Sequence, residues 1–371
     1  MLAAVCAVLA PAATATPASG AKPWLWQCAQ IHLAEAQWRC YARLLIADID
    51  ASRDPADELP RIDRRVSRDA GPLGGFCHAL MHEVGRRYAE AHHLTLAGLQ
   101  RVVPRSNNPN CSAGFGMGLV MYLGPQILRD GGRTAVRTCA ALPTRFRAYT
   151  CVHGLGHALL RAFHGALGTA VHACHALGPR YGPDCAQGAF HDYWISLRGA
   201  DGTTRPRGGI TSPRKLCDGR LTYVRPCWYR YFLEQPLGPI VSTAADLRRV
   251  CHGLAGLQRS GCIAGATVTI SSDPFEQVAV CHRLAAADAV SCLRGVAVQA
   301  LMGRPHAQLR LLRSCARAPA HARVDCYAWF GRTLAVITDG RFRCSRAGAV
   351  DARQACVTGA RRMGAPLVTF S

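Results

Sequence analysis

Lysine is almost missing from this chain. Only Lys22 and Lys215 occur, so nearly all of the 44 basic side chains are arginine. Acidic residues are few as well, at 23, which leaves a formal net charge of +21. Cys-x-x-Cys does not occur, which argues against thiolate metal clusters, and without Cys-x-x-Cys-His there is no c-type haem attachment. There is no Gly-x-Ser-x-Gly elbow, no phosphate-cradling glycine loop and no His-Glu-x-x-His; His82-Glu83 lacks the later histidine of that zinc motif. No run of about 18 uninterrupted apolar residues is present, so the mature chain is expected to carry no transmembrane anchor. No folded nucleic-acid motif accompanies the positive charge, so no nucleic-acid partner is expected. An arginine-rich surface suits an anionic partner such as a cell-surface polymer, and coding bias in a GC-rich genome would give the same composition.

Cysteine, by contrast, is abundant. Apart from Cys6, the cysteines form a ladder: Cys28/Cys40, Cys139/Cys151, Cys174/Cys185, Cys217/Cys227, Cys251/Cys262, Cys281/Cys292, Cys315/Cys326 and Cys344/Cys356, with Cys77/Cys111 as the one long pair. Even, regular spacing without Cys-x-x-Cys predicts disulfides and an oxidising, extracytoplasmic compartment. The N-terminus agrees. A short apolar stretch, Leu2–Ala10, precedes Ala13-Thr14-Ala15, an Ala-x-Ala pattern, and reads as a signal peptide over residues 1–21 whose basic n-region is missing. The protein is therefore expected to be secreted.

The ladder also predicts the fold. A continuous helix cannot bridge a pair: eleven residues rise about 16 Å, whereas cystine Cα atoms lie within about 7 Å. One helix must end near the first cysteine and another start near the second. Asn110, Thr150, Asp184, Gly261, Ser291 and Asp325 precede second cysteines and read as helix N-caps. Gly114, Gly154, Gly188, Gly265, Gly295 and Gly359 follow second cysteines by three residues. Glycine costs a helix about 1 kcal/mol against alanine, so its recurrence at one register predicts backbones in close approach. Ser271-Ser272-Asp273-Pro274 marks a helix start with proline in the first turn.

The expected class is all-α: disulfide-laced helical-hairpin repeats, α-solenoid-like, of about 30–43 residues per unit. The geometry resembles tetratricopeptide or Sel1-type solenoids, although their side-chain consensus is missing. An elongated stack is expected, divided into an N-terminal helical hairpin and charged loop (22–74), a duplicated histidine region (75–198), an exposed loop (199–216) and disulfide-tied repeats (217–371). The charged stretch 50–74, with Pro55, Pro60 and Pro72, reads as exposed loop.

Ten of the fifteen histidines lie between His78 and His191, where the chain is duplicated. Cys77-His78-x-x-x-His82 followed by Cys111-x-x-Gly114-x-x-Met117 matches Cys151-x-His153-x-x-x-His157 followed by Cys185-x-x-Gly188-x-x-His191. Residues four apart share a helix face, so each His-x-x-x-His can present two imidazoles to one metal ion. His191, or Met117 in the first copy, would add a third ligand from the next helix and leave positions open. The candidate metal ligands are therefore His78, His82, His153, His157, His191 and Met117. Copper is favoured, with iron or zinc as alternatives. If the copies face each other, the five histidines resemble in spacing the paired His-x-x-x-His of type-3 copper proteins, with a sixth histidine missing. Glu83, Asp192 and Tyr193 are candidate acid/base or supporting groups. His92, His93, His164 and His172 are expected at the surface. The function these features imply is an exported metalloprotein, with copper- or iron-dependent oxidation as the reaction class. The alternative is a non-enzymatic secreted repeat protein whose arginine-rich surface binds an anionic polymer or a protein.

Overall fold

In the computed structural model the described residues are 25–52, 54–68, 73–196, 213–218, 222–234, 241–271, 273–300, 312–340, 342 and 344–362. The leader-like segment 1–21, residues 69–72 and most of the expected loop at 199–216 lie outside them. The described residues form helices and turns with no strand. The long helices are α1 (Ala34–Asp50), α2 (Pro55–Arg68), α3 (Leu73–Ala91), α4 (Cys111–Tyr122), α5 (Arg145–Ala162), α6 (Gly182–Ser196), α7 (Val224–Glu234), α8 (Gly256–Val268), α9 (Ala286–Ala300), α10 (Ala320–Ile337) and α11 (Val350–Arg361). From α3 onward each long helix packs against the next. Among the described residues none of these helices is long and apolar enough to cross a membrane.

All nine cysteine pairs read from the spacing are disulfides, with Cα–Cα separations from 5.1 Å at Cys77–Cys111 to 5.8 Å at Cys251–Cys262. Nine cystines suit an oxidising environment outside the cytoplasm. In the ladder from Cys139 onward, the first cysteine closes or directly follows a short helix or 3₁₀ turn, such as Arg133–Ala140, Leu167–His175, Ala244–Val250 or Pro274–Cys281, or opens one, as at Cys315–Arg317. The second cysteine lies inside the following long helix. The chain-entropy model gives each of these short closures about 3 kcal/mol.

The glycine register does what close packing requires. A Cβ on Gly114 would lie 2.1 Å from the His78 carbonyl oxygen, on Gly188 1.9 Å from that of His153, and on Gly295 2.2 Å from that of Ala264. Only glycine lets these backbones meet. Gly114 and Gly188 press on His78 and His153, the equivalent histidines of the two copies, so the duplication extends from sequence to packing.

Three expectations are corrected. First, residues 55–68 are a helix and not a loop: Leu59, Ile62 and Val66 are buried on one face of α2. Pro60 within it removes the donor that would reach the Ala56 carbonyl, and Arg105 N–H donates to that carbonyl instead, at 3.0 Å. Second, of the six proposed N-caps only Asn110 occupies that position; Thr150, Asp184, Gly261, Ser291 and Asp325 lie inside their helices. Their polar groups find other partners there: Thr150 donates to the Arg147 carbonyl, Ser291 to that of Ala287, and Asp184 pairs with Arg145 in a buried ion pair at 3.0 Å. Asp273 does cap as expected, accepting from Phe275 N–H with Pro274 in the first turn. Third, the stack is not extended. Ala113, Phe146, Tyr149, Tyr229, Ala264, Val298, Val336 and Ile337, drawn from α4 through α10, form one buried cluster. Asn107, before α4, donates to the Ile337 carbonyl at the end of α10. The array curls until its inner face fills with apolar side chains, because an open concave face carrying these residues would leave that area in water.

Candidate metal centre

The duplicated helices bring five histidines to one place. In α3, His78 and His82 have ring centroids 4.9 Å apart. In α5, His153 and His157 are 5.1 Å apart. His191 of α6 stands 5.6 Å from His153 and 5.1 Å from His157, and the His82 ring bridges the copies at 5.1 Å from His157. Helical periodicity gives the i,i+4 pairs, and the glycine contacts at Gly114 and Gly188 set how closely α4 approaches α3 and α6 approaches α5.

His153, His157 and His191 each offer a nitrogen within 4.8 Å of the others, and all three residues are buried. This group can bind a metal ion. His153 Nε2 and His191 Nδ1 are 3.3 Å apart; the edge of a tetrahedron with metal–nitrogen bonds of about 2.0–2.1 Å is about 3.3 Å. The opposite ring nitrogens face carboxylates. His157 Nδ1 is 3.5 Å from Asp192 Oδ1, and His191 Nε2 is 3.5 Å from Glu234 Oε1. A proton placed toward each carboxylate leaves His157 Nε2 and His191 Nδ1 as bare lone pairs, the tautomers that metal-bound histidines take. Arg161 grips Asp192 through two bonds of 3.0 Å, and Arg230 stands 3.4 Å from Glu234. Two carboxylates and two guanidiniums therefore surround the imidazoles with balanced charge.

Electrostatics keep the rings neutral. Burial lowers His78 to about 4, even though backbone hydrogen bonds pull it upward. Burial pushes His82, His153 and His191 well below the ordinary imidazole value, with neighbouring histidines and Arg230 or Arg161 adding to the effect. His157 is lowered by burial against the opposing pull of Asp192. Burial would raise Asp192, but His157 and Arg161 hold it well below the carboxylate range. Neutral imidazole is the form that ligates metal. His78 Nε2, His82 Nε2, His153 Nδ1 and both ring nitrogens of His157 are buried without a hydrogen-bond partner, an arrangement that native interiors mostly avoid; Asp192 stands beside His157 Nδ1 at 3.5 Å as a charge neighbour.

The remaining candidates divide. Met117 is buried on α4, and its Cα lies 3.0 Å from where a Cβ on Gly154 would stand, so its backbone adjoins His153 in α5. Asp192 supports His157 as described. Glu83 instead pairs with Arg86 and Arg87 on its own helix. Tyr193 is buried with its ring 5.2 Å from that of Trp194. His92, His93, His164 and His172 are exposed, as expected. Sequence reasoning missed Glu234 and Arg230, which come from α7, beyond the duplicated region. Their only signal was an i,i+4 charged pair set among Trp228, Tyr229, Tyr231 and Phe232. It also missed the Pro109 and Asn110 carbonyls, which accept from His78 Nδ1 at 2.9 and 3.2 Å.

No family model matches the chain, and no curated protein or solved structure matches it.

Proposed function

We propose that this is an exported metalloprotein whose His153, His157 and His191 hold one transition-metal ion, with metal-dependent oxidation as its chemistry. The observation that carries the reading is the convergence of three neutral, buried imidazole nitrogens, two of them backed by carboxylates at 3.5 Å. An all-imidazole set suits copper, iron or zinc. A copper or iron ion with three protein ligands has positions left for oxygen, whereas zinc would supply Lewis-acid hydrolysis. The chain's own part would be to bias the rings: Asp192 and Glu234 stand 3.5 Å from His157 Nδ1 and His191 Nε2, where each favours a proton on that nitrogen, and Arg161 and Arg230 hold those carboxylates. The test is metal analysis of protein purified with its disulfides intact, alongside His157→Ala and His191→Ala. A tightly held ion in the parent, with one ion fewer in each variant, supports the reading; folded parent protein that takes up no metal refutes it.

A second reading, a secreted protein that binds an anionic ligand, has one observation in its favour. A cavity of about 570 Å³ is lined by Arg101, Arg105 and Arg147, with Val103, Leu142 and Pro143 as apolar wall and Asp54 as carboxylate. Arg105 is held by Asp54 and Asp57, but Arg147 Nε is buried without a partner. An oxyanion there would relieve both the lost solvation and the repulsion from Arg105 that together lower Arg147. The inner face of the array, where solenoids usually bind, is filled by the apolar cluster. This reading therefore rests on the arginine cavity, and Arg147→Ala together with polyphosphate binding tests it.

A further inference from the structure

We propose that the centre takes a second metal ion, held by His78 and His82 beside the one at the triad. The proposal goes beyond the one-ion reading and uses a different ligand pair. Four observations carry it.

The first is the tautomer of His78. Its Nδ1 donates to the Pro109 and Asn110 carbonyls, at 2.9 and 3.2 Å. A carbonyl can only accept, so the ring proton sits on Nδ1 and Nε2 is a bare lone pair. Backbone carbonyls orient metal-bound histidines in just this way. The second is the state of the free nitrogens. Nε2 of His78 and Nε2 of His82 are both buried, and neither has a hydrogen-bond partner. Leaving a buried polar atom unpaired is costly, and a shared cation would relieve both at once.

The third is position. The two rings are 4.9 Å apart, as close as His153 and His157 at 5.1 Å. His82 is 5.1 Å from His157 but 6.4 Å from His191, farther than any distance within the triad. His82 therefore adjoins the triad without closing around the same point. The fourth is the matched packing of the two copies. Gly114 and Gly118 press on the His78 and His82 carbonyls, as Gly188 presses on that of His153. The backbone of the pair thus meets its neighbouring helix through the same kind of contact as His153. Met117 occupies the place of His191 in this copy and is the candidate third ligand, a soft thioether that would favour copper. Paired ions about 3.5–4 Å apart can clamp one small ligand between them.

The test is a copper titration of the full, disulfide-intact chain against a competing chelator strong enough to strip exposed His92 and His93. The parent should bind two equivalents. His82→Ala should bind one, and so should His191→Ala. Retention of the other ion shows that each variant is folded, and thermal melts check this independently. Copper(II) spin resonance gives a second readout: close ions couple and weaken the parent signal, whereas His82→Ala should show the full signal of one isolated ion. A parent that binds one equivalent overturns the second ion and leaves the triad reading standing. Two equivalents still bound by His82→Ala overturn the assignment to this pair. A parent that binds none overturns both readings, and loss of the ion in His191→Ala alone, from a one-ion parent, upholds only the triad.

Discussion

Replacing Gly188 with alanine should damage fold and site together, because one contact serves both. The new methyl would sit 1.9 Å from the His153 carbonyl oxygen, whereas ordinary contact begins near 3.4 Å. The obstacle is backbone and cannot rotate away, so α5 and α6 must part by about 1–1.5 Å. Overpacking of this kind costs typically about 1–3 kcal/mol. The same shift carries His191 away from His153, at a site that tolerates about 0.2 Å in its bond lengths. Metal affinity should fall at least about 10–100-fold, the range seen when support of a ligand is lost. The assay is a urea denaturation midpoint, with metal affinity measured by chelator competition. Gly168→Ala is the control: nothing lies within 4 Å of its added Cβ, and it sits in the helix Leu167–His175. That change should be neutral or stabilising by up to about 1 kcal/mol. A Gly188→Ala protein with the parent's midpoint and affinity would refute the claim that glycine sets the helix spacing at the site.

Three further outcomes are expected. Asp192→Asn should weaken metal binding by about 10–100-fold while leaving the disulfides and helix content intact, since it removes the carboxylate behind His157; equal affinity in a chelator titration contradicts this. The metal-free protein should lose stability as pH falls from about 6.5, because the unfolded histidines take up protons that the buried ones refuse. For His78, held at about 4, the loss reaches about 3 kcal/mol at the bottom of that window, and a flat urea midpoint between those pH values argues against neutral, buried rings. Replacing Cys174 and Cys185 with alanine should cost about 3 kcal/mol and lower metal affinity, because the cystine ties α6 at the residue whose carbonyl meets Gly156; an unchanged melting temperature would contradict it.

Much of the fold was legible because cystines leave a sequence mark that packing does not. Spacing suggested eight of the nine disulfides, leaving Cys77 and Cys111 as the remaining pair, and the glycine register gave the close helix contacts. The helix starts were misplaced because a polar residue before a cysteine looks like a cap whether it caps or, like Asp184 with Arg145, forms a buried pair. Pro60 read as a breaker because its cost depends on what replaces the lost hydrogen bond, and Arg105 N–H comes from 45 residues downstream. The curl of the array depends on Phe146, Tyr149 and Tyr229 meeting Val336 and Ile337; no local pattern encodes those encounters. At the site, periodicity and duplication singled out five histidines but left open whether the two copies meet; the fold brings their rings side by side. Glu234 and the Pro109 carbonyl escaped notice because supporting groups are chosen by tertiary proximity, and a carbonyl carries no residue identity.

The most direct test of the metal centre is the X-ray absorption spectrum of the protein loaded with one equivalent of zinc or copper. About three imidazole nitrogens are expected at about 2.0–2.1 Å, falling by one in His157→Ala. A shell of oxygen alone, or the same spectrum in that variant, would contradict it.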